Sequence, residues 1–162
     1  MKIFFIAITC ALAVCSLQSC KTKPRGDYRG WKEYEEYLKD NFKIKTDTIS
    51  NAYLYTIGVD DGCLCTQLNL NFVRDSCKKI RTDLQLILVG NKPNYSDQQL
   101  INYLKQSGYK IKVDSLSTIF KYGAGFGKPI FLHYKNGARV YGKNVNDLDF
   151  GILKKYINTL DD

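Results

Sequence analysis

Six consecutive residues, Leu84 to Val89 (LQLILV), are apolar at every position but one, and a strand built this way is apolar on both of its faces. The run is too short for a helix, so it belongs inside a sheet that is covered above and below. Such sheets arise where strands alternate with helices that cross over them, and the rest of the chain supplies both. Tyr28, Trp31, Tyr34, Tyr37, Leu38 and Phe42 recur at three- and four-residue steps and predict an amphipathic helix whose aromatic stripe packs on the sheet. Ala52 to Val59 (AYLYTIGV) reads as a strand closed by the turn residues Asp60-Asp61-Gly62. A helix is expected from near Cys63 or Cys65 to about Ile80, because Leu68, Phe72 or Val73, Cys77 and Ile80 share a stripe. Beyond the Gly90 to Tyr95 loop, Ser96-Asp97-Gln98-Gln99 has the form of a capping box that opens a helix ending near Gly108. Tyr109 to Val113 is a short strand. Ile130 to Tyr134 and Ala138 to Tyr141 flank Lys135-Asn136-Gly137, where Asn-Gly signals a hairpin. A last helix is expected from Asp147, capped by Asn146, to near Leu160. The order predicts an α/β fold: a central mixed sheet flanked by helices, parallel where helices intervene and antiparallel at the hairpin.

The N-terminus has a different character. Met1-Lys2 brings a positive charge and Ile3 to Leu17 is almost unbroken apolar sequence before Gln18 and Ser19, the layout of a secretory signal over residues 1–19. The run falls short of the roughly twenty residues that span a bilayer. Leu17-Gln18-Ser19-Cys20 resembles the bacterial lipobox, in which the cysteine is acylated and becomes the first residue after cleavage; Leu12-Ala13-Val14-Cys15 is a poorer match. Cys20 is therefore expected to carry lipid, the alternative being an ordinary signal peptide cut nearby that leaves Cys20 as a free thiol. Residues 20–30 read as a linker, and removal of the signal leaves 143 of the 162 residues, enough for one domain over 31–162. Six cysteines reduce to Cys63, Cys65 and Cys77 in that domain, an odd number that argues against a cystine-stapled scaffold. The net charge of +8 is scattered along the chain. It suits an anionic lipid surface at about 1 kcal/mol per basic residue near it, and nucleic acid is not the expected partner of an exported chain.

Over residues 50–162 the chain resembles the thioredoxin fold, and more specifically the exported thioredoxin-like lipoproteins common in Bacteroidetes. The residues that carry this are the strand-to-helix passage YTIGVDDGCLCTQL, the proline that opens the late hairpin in GKPIFLHYKNGARVYG, and the C-terminal helix. The resemblance implies a thioredoxin-like mixed sheet with an N-terminal helical extension and a cis Pro129 lying against the cysteine-bearing helix end. It also implies thiol-disulfide oxidoreductase or isomerase chemistry without a cofactor or metal. The implied location is the bacterial cell envelope, lipid-anchored on a periplasm-facing membrane, the outer favoured over the inner. Exported protein thiols or a membrane redox partner would be its partners.

The family's redox members carry Cys-x-x-Cys, usually after Trp, whereas this chain has Gly62-Cys63-Leu64-Cys65-Thr66. If Cys63 matches the nucleophile, the resolving position holds Thr66 and Cys65 has no counterpart. The first turn of a helix still offers unpaired N–H groups and a partial positive charge that favour thiolate, the species that attacks disulfides. Asp60 and Asp61 pull the other way if their carboxylates point inward. A Cys63–Cys65 disulfide would close a small, strained ring, and strained disulfides are the more oxidising ones. Cys77 falls on the apolar stripe and is expected in the core.

Lys128, just before the proline, would offer backbone groups to an extended peptide, with Phe126 and Tyr122 adding apolar contact or filling the loop's own core. Gly123, Gly125 and Gly127 precede a strand instead of opening a helix, so they form a flexible loop and not a dinucleotide site. His133 sits four strand residues past Pro129, roughly 13 Å away, too far to complete a metal set with the cysteines. Two functions compete: thiol-disulfide exchange through Cys63 and Cys65, with Lys128 and Pro129 placing the substrate, or a non-catalytic binding and assembly module on the same scaffold.

Overall fold

The computed structural model describes residues 28–59 and 64–161. The expected signal peptide at 1–19, Cys20 and the linker as far as residue 27 lie outside them, as do Asp60, Asp61, Gly62 and Cys63.

Helix α1 (Trp31–Phe42) leads into strand β1 (Asn51–Gly58), helix α2 (Leu64–Ser76), strand β2 (Leu84–Val89), helix α3 (Tyr95–Gln106) and strand β3 (Lys110–Asp114). Strands β4 (Ile130–Lys135) and β5 (Ala138–Asn144) form the hairpin, and helix α4 (Phe150–Asn158) follows. Five strands lie in the order β3-β2-β1-β4-β5. β1, β2 and β3 run parallel, with Tyr55 beside Leu86 and Leu86 beside Ile111, while β4 is antiparallel to both β1 and β5. This is the mixed, helix-flanked thioredoxin-like sheet that the sequence implied, with α1 as its N-terminal addition.

Alternation along the strands divides the interior into two cores. Tyr53, Tyr55 and Ile57 of β1, Leu84, Leu86 and Leu88 of β2, and Phe131 of β4 pack with Leu70, Phe72 and Val73 of α2, Ile101 and Leu104 of α3, and Leu153 and Ile157 of α4. Leu54, Ile87, Val89, Ile130, Leu132 and Tyr134 face the opposite side and are covered by Tyr34, Tyr37 and Leu38 of α1. Both faces of LQLILV are thereby removed from water. The three α1 residues are fully buried, Leu38 contributing about 1.5–3 kcal/mol of apolar transfer. Tyrosines in that layer need partners for their hydroxyls. Tyr34 shares a hydrogen bond with Thr56 Oγ1, Tyr37 donates to Asp114 Oδ2 at 3.1 Å and Tyr134 donates to Glu35 Oε1 at 2.9 Å.

Element ends differ from the sequence reading for local reasons. α2 stops at Ser76 and not at Ile80, because the chain must reverse to enter β2; Arg81 N–H bonds Lys78 O and Asp83 N–H bonds Ile80 O in the intervening turns. Ile80 still reaches the core, from a turn. α3 begins one residue before Ser96, and its cap is Asn94, whose side chain accepts from Asp97 N–H at 2.8 Å. At the last helix Asn146 and Asp149 form a reciprocal capping box around a single 3-10 turn, Asp147–Asp149.

Candidate functional site

Central strand β1 ends at Gly58, and Val59 N–H still bonds Val89 O at 2.8 Å. The chain re-enters the described structure at Leu64, the first residue of α2, which is 69% exposed. Cys65, next in the helix, is half-buried and disulfide-bonded. Cys77 is buried and free, so the second sulfur of that bond lies outside the described residues.

Two side chains fasten the first turn of α2 to β1. Thr66, fully buried, donates from Oγ1 to Gly58 O at 2.8 Å. Asn69, one turn on, donates from Nδ2 to Cys65 O at 2.6 Å and accepts a hydrogen bond on Oδ1 from the Tyr55 hydroxyl of β1. If Cys63 matches the family's nucleophile, Thr66 stands at the resolving position of Cys-x-x-Cys, and its hydroxyl is spent on the strand.

Cys65 and Thr66 line a cleft of about 210 Å³ together with Phe120, Phe126, Lys128 and Pro129. Three of the four residues singled out from sequence, Cys65, Lys128 and Pro129, therefore meet at one place; Cys63 lies outside the described residues. Among these residues every peptide bond is trans, which corrects the expectation of a cis Pro129. Trans is the lower-energy isomer before proline by about 0.5–1 kcal/mol, and Pro129 reaches the cleft without the cis form. Its carbonyl accepts from Val145 N–H at 2.7 Å, tying the loop to the end of β5. Gly123 and Gly125 have φ of +66° and +65°, the left-handed region that glycine adopts without strain, and they carry the chain around the cleft.

Phe120 and Phe126 form the apolar wall, with ring centroids 5.7 Å apart and planes at 62°. Phe120, 59% exposed, was not foreseen. It belongs to the 3-10 turn Thr118–Tyr122, in which Ile119 is buried and Tyr122 turns away. The Tyr122 hydroxyl donates to Asp40 Oδ2 at 3.0 Å, and its ring meets Tyr37 edge-on at 5.7 Å, so it fastens α1 and takes no part in the cleft. An apolar residue out of phase with the buried ones in a turn was the available signal.

The other titratable candidates are structural. Burial pushes the Cys77 thiol up to about 12, where it is neither thiolate nor accessible. His133 is buried at the far end of β4, stacked on Tyr53 with centroids 4.2 Å apart. Burial, with Lys135 nearby, pushes its pKa down to about 4. Among the described residues no group of three or more His, Cys, Asp or Glu side chains is placed to hold a metal ion, and no helix is long and apolar enough to cross a membrane.

No protein-family model matches this chain, and no curated protein matches it. Among solved structures it is similar to a secreted Mycobacterium tuberculosis disulfide oxidoreductase homologous to E. coli DsbE, at 11% identity over 68% of this chain and 82% of that one, with a TM-score of 0.46. A candidate thiol:disulfide interchange protein DsbE from Chlorobium tepidum gives 16% identity over 70% and 81%, with a TM-score of 0.46. A thioredoxin-like protein from Porphyromonas gingivalis gives 16% over 68% and 75%, with a TM-score of 0.44. The fold of this chain is thioredoxin-like by its own strand order, in which three parallel strands meet an antiparallel hairpin and a cysteine-bearing helix rises from the end of the central strand.

Proposed function

We propose that this chain is a lipid-anchored thiol-disulfide exchange protein of the bacterial cell envelope, that Cys63 is the partner of Cys65 in the disulfide, and that exported protein cysteines are its substrates. The observation that carries this reading is a disulfide-bonded Cys65 in the first turn of α2, on the wall of an open cleft shared with Lys128 and Pro129. Cys77, by contrast, is a free thiol sealed in the core. In the reduced form the Cys63 thiolate attacks a substrate disulfide; one substrate sulfur leaves as thiolate and takes up a proton, and a mixed disulfide remains. The Cys65 thiolate then attacks the Cys63 sulfur, which releases the second substrate thiol and closes the Cys63–Cys65 disulfide. Two electrons have passed to the substrate, and a membrane redox partner returns them. The reverse sequence oxidises a substrate dithiol. Lys128 and Pro129 hold the substrate backbone, Phe120 and Phe126 its apolar side chains, and acylated Cys20 keeps the cleft at the membrane, which a basic chain favours.

The test equilibrates the protein across glutathione redox buffers and assays Cys63 and Cys65 by thiol alkylation and mass spectrometry. A reversible two-electron transition that disappears in Cys63→Ser and in Cys65→Ser is the expected result. Thiols that stay unreactive until the protein unfolds would sink the exchange reading and leave a membrane-anchored binding module.

A further inference from the structure

Asn69 has no place in the middle of α2 on helix-forming grounds. It is a mediocre helix former, it is only 2% exposed, and a buried amide is costly unless its donors and acceptor are used. Both ends of this amide are engaged, and the partners differ in kind. Behind it stands the Tyr55 hydroxyl, held in β1 among Phe72 and Phe131 with edge-on rings at 6.4 and 5.6 Å. In front of it is the carbonyl of Cys65, 2.6 Å from Nδ2. That carbonyl is attached to the Cα of Cys65, whose Cβ carries the disulfide sulfur, so fixing it restrains the backbone torsion at Cys65 and with it the direction of the Cα–Cβ bond.

We propose that Asn69 is a positioning residue that holds Cys65 in its disulfide-bonded placement, with Tyr55 as its anchor in the sheet; this rests on the exchange reading above. The clamp is seen with Cys65 disulfide-bonded. A contact shifts an equilibrium only by the difference in its strength between the two states. A short bond to one carbonyl position rewards that position, and on this proposal opening the disulfide lets the Cys65 carbonyl leave it. The clamp therefore favours disulfide over dithiol. Thr66, tied to Gly58 O on the next residue, keeps the helix from following Cys65 when the turn relaxes.

The experiment is a redox titration against glutathione of the full chain and of Asn69→Ala, with thermal unfolding of each protein in its oxidised and reduced forms. Asn69→Ala is expected to shift the equilibrium about tenfold towards dithiol, which is about 30 mV for a two-electron couple, and to lower the oxidised form's midpoint more than the reduced form's. Should Asn69→Ala fail to fold, Asn69→Asp removes the donor while keeping an oxygen towards Tyr55, and Tyr55→Phe removes the anchor; both are expected to shift the equilibrium in the same direction. Unchanged equilibria in the variants that fold, or equal stability losses in the two redox forms, would show a merely structural amide and overturn the proposal. A wild type that does not titrate reversibly overturns the exchange reading and this one with it, whereas a titrating wild type beside unshifted variants overturns the clamp alone.

Discussion

His133 shows how a single buried side chain couples this fold to pH. Asn51 donates from Nδ2 to Asp83 Oδ2 at 3.1 Å, which turns its Oδ1 towards His133 Nε2 at 2.9 Å; Nε2 must then carry the proton, and Nδ1 accepts from the Tyr156 hydroxyl at 2.7 Å. The network is built for neutral imidazole, in agreement with a folded-state pKa near 4 against the ordinary 6.5. Because the unfolded chain takes up this proton first, the contribution of His133 is complete above pH 6.5. It is lost as pH falls from 6.5 towards 4, by up to about 3 kcal/mol. Urea unfolding of the wild type should weaken across that window, and His133→Phe, which cannot titrate, should show a flatter profile; parallel profiles would mean that His133 is not the group responsible. Phe120 makes a prediction of another kind. Its exposed ring adds apolar surface to the cleft without touching the fold's cores, so Phe120→Ala should slow exchange with a cysteine peptide that has a bulky apolar neighbour by about tenfold, roughly the worth of one buried side chain. Its exchange with dithiothreitol should be unchanged, and stopped-flow traces with both reagents check the contrast.

At the level of elements, the β4–β5 hairpin makes the sharpest demand on sequence. Asn136 and Gly137 have φ of +52° and +71°, and the turn is docked on the segment before β1 through Gly137 N–H to Ile49 O at 2.7 Å and Asn136 N–H to Ser50 O at 2.8 Å. A Cβ on Gly137 would lie 2.4 Å from the backbone oxygen of Asp47, so Gly137→Ala should cost at least about 2 kcal/mol through strain and collision together. Gly151 is the counterpart: it lies in α4 with open space around its Cβ position, and Gly151→Ala should stabilise by about 0.5–1 kcal/mol. Thermal melts of the two variants should move in opposite directions. The turn was legible because Asn-Gly admits few other conformations, and β2 was legible because no partly exposed strand would be written LQLILV. Helix ends were less so. Asn94 and Ser96 are both able caps, and it is Asn94 that accepts from Asp97 N–H. In the site, the arrival of Pro129 beside the cysteine helix followed from fold-level resemblance. The Tyr55–Asn69 clamp and the Phe120 wall did not, because each joins residues from different elements that no local pattern connects.

For the molecule as a whole, the place where the chain enters the domain matters as much as the cleft. Tyr28 is pinned at the start of the domain: its N–H bonds Gly142 O at 3.2 Å, its carbonyl accepts from Arg139 Nη1 at 3.2 Å, and its hydroxyl lies 2.7 Å from Ala124 O. Ala124 belongs to the same loop as Phe126, Lys128 and Pro129, so Tyr28 is fastened to the loop that forms the cleft's own wall. Only seven residues separate Tyr28 from Cys20, and even fully extended the eight steps between them reach about 28 Å. If Cys20 is acylated as proposed, the cleft is confined to a shell of that depth above the lipid, and partners on the same membrane meet it at high effective concentration. Inserting some twenty Gly/Ser residues between Lys21 and Pro24 should lower that concentration, which falls at least as steeply as the −3/2 power of length once a tether exceeds its span. In vesicles carrying the lipidated protein, exchange with a lipid-tethered disulfide peptide should then slow several-fold while exchange with the same peptide in solution stays constant, and Cys20→Ser should abolish the difference between the two. Equal slowing of both peptides would place the effect of the insertion in the domain, and an unaltered rate with the tethered peptide would mean that the short linker does not set how the cleft meets the membrane.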